Sequence, residues 1–260
     1  MILEIDDVSF DYAGKPVLDS VNFSVCKGDV IGILGPNGSG KTTLLKIMNR
    51  NLAPKSGAVV VEDVDIAKIT KREIAQRMAV VPQGSEINFS FTVADIVLMG
   101  RMPSLDRFQM ESDEDLNIVW EAMRLTSVDH LAERPINQVS GGERQRAIIA
   151  RALAQKPRII LMDEPTLHLD VNHQLEVLDL VHGLSREQGL TVIIVSHDLS
   201  LVARYCDKMI LIHDHGIEAA GKVEDVLTEE NMRKVFNIEA HLDYDDRIGR
   251  HVVSVIRPCR

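Results

Sequence analysis

Two rhythms of apolar and polar positions alternate along this chain. Over residues 1–29 the period is two, interrupted by Ala13-Gly14-Lys15-Pro16, which predicts short antiparallel strands around a turn. Ile31-Gly32-Ile33-Leu34 is an unbroken apolar run of strand length. A glycine-rich turn follows, then a short helix over residues 43–50 that stops before Pro54. Ser56-Gly57 turns the chain into the strand Ala58-Val59-Val60-Val61. A helix over residues 71–77 then leads into the strand Met78-Ala79-Val80-Val81-Pro82.

From about residue 88 the strand signal disappears until Arg158, which predicts an inserted helical subdomain. Thr92 is placed to cap a helix over residues 93–99. Ser112 with Asp113, Glu114 and Asp115 starts a longer amphipathic helix through Trp120 to about Leu125. Its Leu116, Val119, Trp120 and Met123 recur at helical spacing and are assigned to the core. Strand signal returns at residues 158–162, a helix is expected over 171–188, and a further strand over 191–195. His213-Asp214-His215 could be a metal triplet, but it separates strand-like Met209-Ile210-Leu211-Ile212 from Ile217-Glu218-Ala219 and is assigned to a hairpin turn. After Phe236 the chain is a strand-rich tail, including residues 242–244 and 252–256, expected to cover a sheet edge.

Composition narrows the classes. A chain of 260 residues with 45% hydrophobic and 26% charged positions can bury one sizeable core, with room for an inserted subdomain. A formal net charge of −10 disfavours a general nucleic-acid binder. Cys26, Cys206 and Cys259 are scattered and odd in number, which suggests neither a disulfide framework nor a zinc site and fits a reducing compartment. No secretory signal is visible at the start. The longest apolar runs are strand-sized, short of the ~20 residues of a membrane helix, so any membrane role requires another chain to do the spanning.

Candidate chemistry begins at Gly35-Pro36-Asn37-Gly38-Ser39-Gly40-Lys41-Thr42-Thr43, which fits G-x-x-x-x-G-K-[ST] from Gly35 to Thr42. Residues without Cβ atoms let backbone N–H groups curl around a phosphate at a helix start. Lys41 would neutralise the outer phosphates and the Thr42 hydroxyl would ligate Mg²⁺. Tyr12 is either an adenine-stacking ring or a half-buried strand aromatic. Gln83, just past a strand end, is either a loop amide or a group reaching Mg²⁺ or its water. Ser140-Gly141-Gly142-Glu143 opens a helix that is either a second anion site or a plain capped helix. Asp163-Glu164, at the end of a buried strand, suits two tasks: Asp163 holding Mg²⁺ through water, and Glu164 orienting an attacking water. His197 ends another strand, within reach of a terminal phosphate.

In order and approximate spacing, the phosphate loop, Gln83, Ser140-Gly141-Gly142-Glu143, Asp163-Glu164 and His197 resemble the ABC ATPase family over nearly the whole chain. The S-G-G-[QE] element is the most specific of these. The resemblance implies an α/β fold: a P-loop NTPase (RecA-like) core with an N-terminal antiparallel β element and an inserted helical subdomain. The ATPase domain would occupy residues 1–235, with the core at about 1–87 and 158–235, the helical signature subdomain at about 88–157 and the tail at 236–260. It further implies ATP and Mg²⁺ as ligands, Tyr12 as the adenine-stacking residue, Gly35 to Thr42 as Walker A and Gln83 as the Q-loop. Ser140 to Glu143 would be the signature, Asp163 the Walker B aspartate, Glu164 the catalytic carboxylate, Asp170 the D-loop aspartate and His197 the switch histidine.

The same resemblance implies a head-to-tail dimer with a second copy, in which one chain's signature closes over ATP held by the other's phosphate loop. Gly100-Arg101-Met102-Pro103, Ser140 to Arg146 and His168-Leu169-Asp170-Val171-Asn172-His173-Gln174 are similar to importer ATPases for iron–siderophore, haem and cobalamin uptake. That implies polytopic permease subunits as partners, an extracytoplasmic binding protein indirectly, no nucleic acid, and a place at the cytoplasmic face of the membrane. Val139 and Leu167 depart from the usual pattern without removing a phosphate ligand. An exporter ATPase or a soluble ATPase of iron–sulfur assembly is the alternative within the family.

Overall fold

The computed structural model describes residues 1–84, 90–106 and 109–259. The chain divides into two compact units, Met1–Ile69 with Thr191–Arg260, and Thr70–Leu190. In the first, β1 (Leu3–Tyr12) and β2 (Lys15–Val25) form an antiparallel hairpin. Its turn residues Ala13 and Gly14 both have positive φ, the conformation that matches strand twist in a two-residue turn. β3 (Val30–Leu34), buried at all five positions, runs through the phosphate loop into α1 (Lys41–Met48). β4 (Ser56–Val61) pairs antiparallel with β1, and the short β5 (Val64–Asp65) completes a sheet of order β2-β1-β4-β5.

The second unit opens with α2 (Lys71–Arg77) and β6 (Met78–Val81). The expected start of the helical stretch near residue 88 lies outside the described residues. α3 (Val93–Leu98), α4 (Asp113–Leu125) and α5 (Gly141–Ala154) then pack on one another. β7 (Ile159–Asp163) lies parallel to β6, with Met78 opposite Ile159 and Val81 opposite Met162. α6 (Val171–Gln188) closes the unit and ends at Gly189 in the left-handed conformation. Thr70, Thr92, Ser112 and Ser140 each close a capping box with the acidic residue three positions on, so α2, α3, α4 and α5 begin where their sequence signals stand.

α4 corrects one expectation. Val119 and Met123 are buried, but Leu116 and Trp120 are each 42% exposed. The helix instead buries Asp115, Ile118, Val119, Ala122 and Met123, a stripe of the same periodicity displaced around the axis. What selects it is a buried ion pair. Arg101 donates from Nε to Asp115 Oδ1 at 2.9 Å and from an η nitrogen to the carbonyl of Ala154 at 2.7 Å, at the end of α5. Asp115 also accepts from the Ser112 hydroxyl at 2.6 Å and the Ser112 backbone at 3.0 Å. Those bonds, then the guanidinium, pull its carboxyl down from 3.8 to about 2.

The chain re-enters the first unit with β8 (Thr191–Val195), α7 (Leu199–Tyr205), β9 (Lys208–His213) and β10 (Gly216–Lys222). β3 pairs in parallel with β8 on one side and β9 on the other, and β10 adds antiparallel to β9. The β9–β10 connection is the expected hairpin turn, with Asp214 and His215 both at positive φ. After α8 (Val223–Val226) and α9 (Glu229–Phe236), β11 (Ile238–Asp245) and β12 (Arg250–Pro258) form a two-stranded antiparallel sheet of their own. Among the described residues, no strand of this tail pairs with another sheet. β12 lies against α7 and β11 against α9.

Candidate functional site

In the first unit the chemistry gathers at the C-terminal ends of β3 and β8. The loop between β3 and α1 turns through Gly38 at φ 82° and Gly40 at φ 100°, which side chains with a Cβ rarely adopt. Gly40 is the N-cap of α1 and brings no side chain to it, and the first turn of that helix holds no acidic residue. The positive end of the helix dipole thus meets neither a capping side chain from Gly40 nor a carboxylate in the first turn. Lys41 is 8% exposed, and its ammonium donates to the carbonyls of Gly35 at 2.8 Å and Pro36 at 3.0 Å, arching the charge over the loop. Ser39 Oγ is buried with no hydrogen-bond partner. A buried hydroxyl in that state costs about 1–3 kcal/mol, which a polyanion in the loop would offset. Thr42, half-buried, follows in the first turn.

His197 stands just past β8. The Ser196 N–H donates to the Ile33 carbonyl at 3.1 Å, which extends the β3–β8 ladder to its last residue and releases His197 into an exposed position beside the loop that leaves β3. Asp198 caps α7 through the Leu201 N–H and fixes the turn by donating its own N–H to Ser196 Oγ, both at 3.0 Å. Tyr12, at the end of β1, is 48% exposed, with Phe10 edge-on to its ring at 4.9 Å.

In the second unit the parallel pair β6–β7 delivers Gln83 and Asp163-Glu164 to the same end. Asp163 is buried at 6% exposure, Glu164 is half-buried and Gln83 is exposed. Glu164 has φ 48°, a left-handed conformation that costs a non-glycine residue about 1–3 kcal/mol and concentrates at functional sites. Beyond it Thr166 to Asp170 form a tight loop, held by Leu169 N–H to Thr166 O at 3.2 Å and by Gln174 Nε2 to Leu169 O at 3.1 Å.

Ser140 caps α5 as expected, but the cap is reciprocal. The Glu143 carboxylate accepts from the Ser140 N–H at 2.8 Å, and that bond holds its carboxyl below the ordinary value. Glu143 therefore shapes the helix start, while Ser140 and Gly141 are the exposed members of the motif. Asp170 is exposed and caps α6 by accepting from His173 N–H at 3.0 Å, the chief cause of its own lowered pKa. Sequence reasoning quoted His173 and Arg146 within motif stretches but gave them no role of their own, and it did not single out Glu176. The i, i+3 spacing of Asp170 and His173 was the available signal.

The family described as ABC transporter matches residues 18–167 of this chain. The chain belongs to the ABC transporter family. This cassette is 42% identical to an uncharacterised ABC transporter ATP-binding protein of Methanocaldococcus jannaschii over 94% of each chain. It is 38% identical to the iron(3+)-hydroxamate import ATP-binding protein FhuC of Bacillus subtilis, over 96% of this chain and 93% of that one. With the cobalamin import ATP-binding protein BtuD of Halobacterium salinarum it shares 39% identity over 98% of its own length, but it spans only 63% of that protein. A chain of an inward-facing metal-chelate type ABC transporter superposes with a TM-score of 0.86 at 29% identity, covering 98% of this cassette and 97% of that chain. A dimeric ATP-binding cassette bound to ADP and Pi superposes at 0.73 with 28% identity, covering 85% and 99%. The cassette thus has the P-loop NTPase fold of transport ATPases. Among its described residues no helix is long and apolar enough to cross a membrane.

Proposed function

We propose that this cassette is the ATP-hydrolysing subunit of an importer that takes up an iron chelate, haem or cobalamin through membrane-spanning partners. The observation that carries the ATP half is the uncapped start of α1, with the Lys41 ammonium and the unsatisfied Ser39 hydroxyl facing the same loop. The importer half draws support from relatives named for hydroxamate, cobalamin and haemin import that align over nearly all of this chain.

In this reading Gly35 to Thr43 cradle the phosphates and Tyr12 stacks on adenine. Thr42, Asp163 and Gln83 are the residues that would hold Mg²⁺, and the ion would supply charge neutralisation on the phosphates. Glu164 orients the attacking water and accepts its proton, and His197 donates to the terminal phosphate. Ser140, Gly141 and Asp170 meet a nucleotide held by a second copy, and Glu143 contributes through its cap. The helical stretch at about residues 88–157 and the Gln83 region form the surface that engages the permease at the cytoplasmic membrane face.

The test is a pull-down of the tagged cassette from gently solubilised native membranes. A stoichiometric polytopic membrane protein accompanied by an extracytoplasmic binding protein is the expected result, and the ligand of that binding protein names the cargo. Recovery of soluble partners alone would refute the importer reading.

A further inference from the structure

α5 and α6 begin side by side, and one side chain lies between their first turns without a part in the chemistry above. His173 Nδ1 lies 2.8 Å from Asp170 Oδ2, while its backbone N–H holds Oδ1 of the same carboxylate. The far side of the imidazole rests on Gly142. A methyl group built on Gly142 would fall 2.3 Å from His173 Cδ2, 2.7 Å from Cγ and 3.0 Å from Nε2, so only glycine admits the ring there. One turn on, Arg146 reaches Glu176 at 2.7 Å, and Asn172 holds the other oxygen of that carboxylate at 2.7 Å. The exposed start of α5 and the exposed aspartate that starts α6 are thereby joined through one ring and one ion pair.

We propose that His173 is a positioning residue, whose imidazole locks Ser140-Gly141-Gly142 to Asp170 so that both strips meet the partner cassette as one surface. The inference rests on the reading that these strips face a second copy. A helix start that must place N–H groups on a phosphate across an interface tolerates only sub-ångström error, and two separately mobile strips would each have to be ordered on closure. The His173 ring removes that requirement before the partner arrives. It also gives Gly142 a second reason to be glycine, independent of any approach by phosphate.

The experiment is ATP-driven dimerisation of a Glu164→Gln cassette, followed by sedimentation, with and without substitutions at His173. His173→Ala should weaken the dimer roughly tenfold, the loss expected for a hydrogen bond to a charged group. ATP affinity of the separated subunit, measured below the dimerisation range, should stay within about twofold, because the phosphate loop has not been touched. His173→Asn, whose side-chain amide can still donate to Asp170, should recover most of the dimer. His173→Phe keeps a ring against Gly142 without the bond, should fail like alanine, and serves in its place if alanine does not fold. Parent-like dimerisation of His173→Ala or His173→Phe overturns the inference, as does an equal loss of dimer and subunit ATP affinity. If the Glu164→Gln cassette itself never dimerises with ATP, it is the reading of a partner-facing signature that falls, and the inference falls with it.

Discussion

Asp163 and Glu164 are neighbours with different surroundings, and the difference suits the two roles proposed for them. Asp163 is the last residue of β7 and is buried, a place for a carboxylate that faces a cation. Glu164 has already left the strand, is half-buried and is held in a left-handed conformation. A carboxylate aimed by a strained backbone is suited to a water that must be oriented. Glu164→Gln keeps the shape and removes the base, so turnover should fall about 10²–10⁴-fold, the range a positioned general base supplies. Nucleotide binding should be retained, since the loop from Gly35 to Thr42 is unchanged. Single-turnover hydrolysis together with equilibrium nucleotide binding measures both, and wild-type turnover would remove Glu164 from the base role. The backbone strain at this position carries no mark in the local sequence, whereas the Asp163-Glu164 pair itself was plain at the end of an apolar run.

At the scale of elements, Asp115 shows how a charge can set the face of a helix. Its carboxyl is pulled to about 2, below the ordinary 3.8, first by the Ser112 hydroxyl and backbone and then by Arg101. A folded-state pKa below the unfolded one stabilises fully above the unfolded value and is lost as pH falls through the folded one, here between about pH 4 and pH 2. The displacement corresponds to about 2 kcal/mol at neutral pH. Asp115→Asn should therefore lower thermal stability at pH 7 and flatten the acid limb of stability in that window, both read by thermal melts across pH. An acid limb that kept its slope would deny Asp115 this role. The same helix marks where sequence legibility ended. Helix starts were legible because Thr92, Ser112 and Ser140 are local signals that act within one turn. The buried face of α4 was not, because Leu116 with Trp120 and Ile118 with Ala122 share one periodicity, and the choice rests on Arg101, fourteen residues away. The His173–Gly142 contact was hidden for the same reason: it joins two helix starts that only the fold brings together.

These 260 residues hold one G-x-x-x-x-G-K-[ST] motif and one S-G-G-E motif, and in the proposed head-to-tail reading a composite site takes one from each of two chains. That requirement can be tested with two inactive cassettes. Lys41→Ala removes the ammonium that arches over the loop, and should cost about 10- to 100-fold in ATP affinity as the loss of a charge-assisted contact. Ser140→Arg leaves the loop intact but puts a bulky cation at the exposed start of α5. Each variant alone forms dimers in which both composite sites are damaged. When the two are mixed, a heterodimer pairs the sound loop of the Ser140→Arg chain with the sound signature of the Lys41→Ala chain, which restores one site of two. With random pairing half of the dimers are of this kind, so ATPase activity should return to at most roughly a quarter of the unmutated rate at the same total concentration. Dilution should abolish the recovered activity before it affects the fold, because it separates the halves without unfolding them. A mixture as inactive as its components would mean that each chain completes its own site, and the head-to-tail dimer would have to be abandoned.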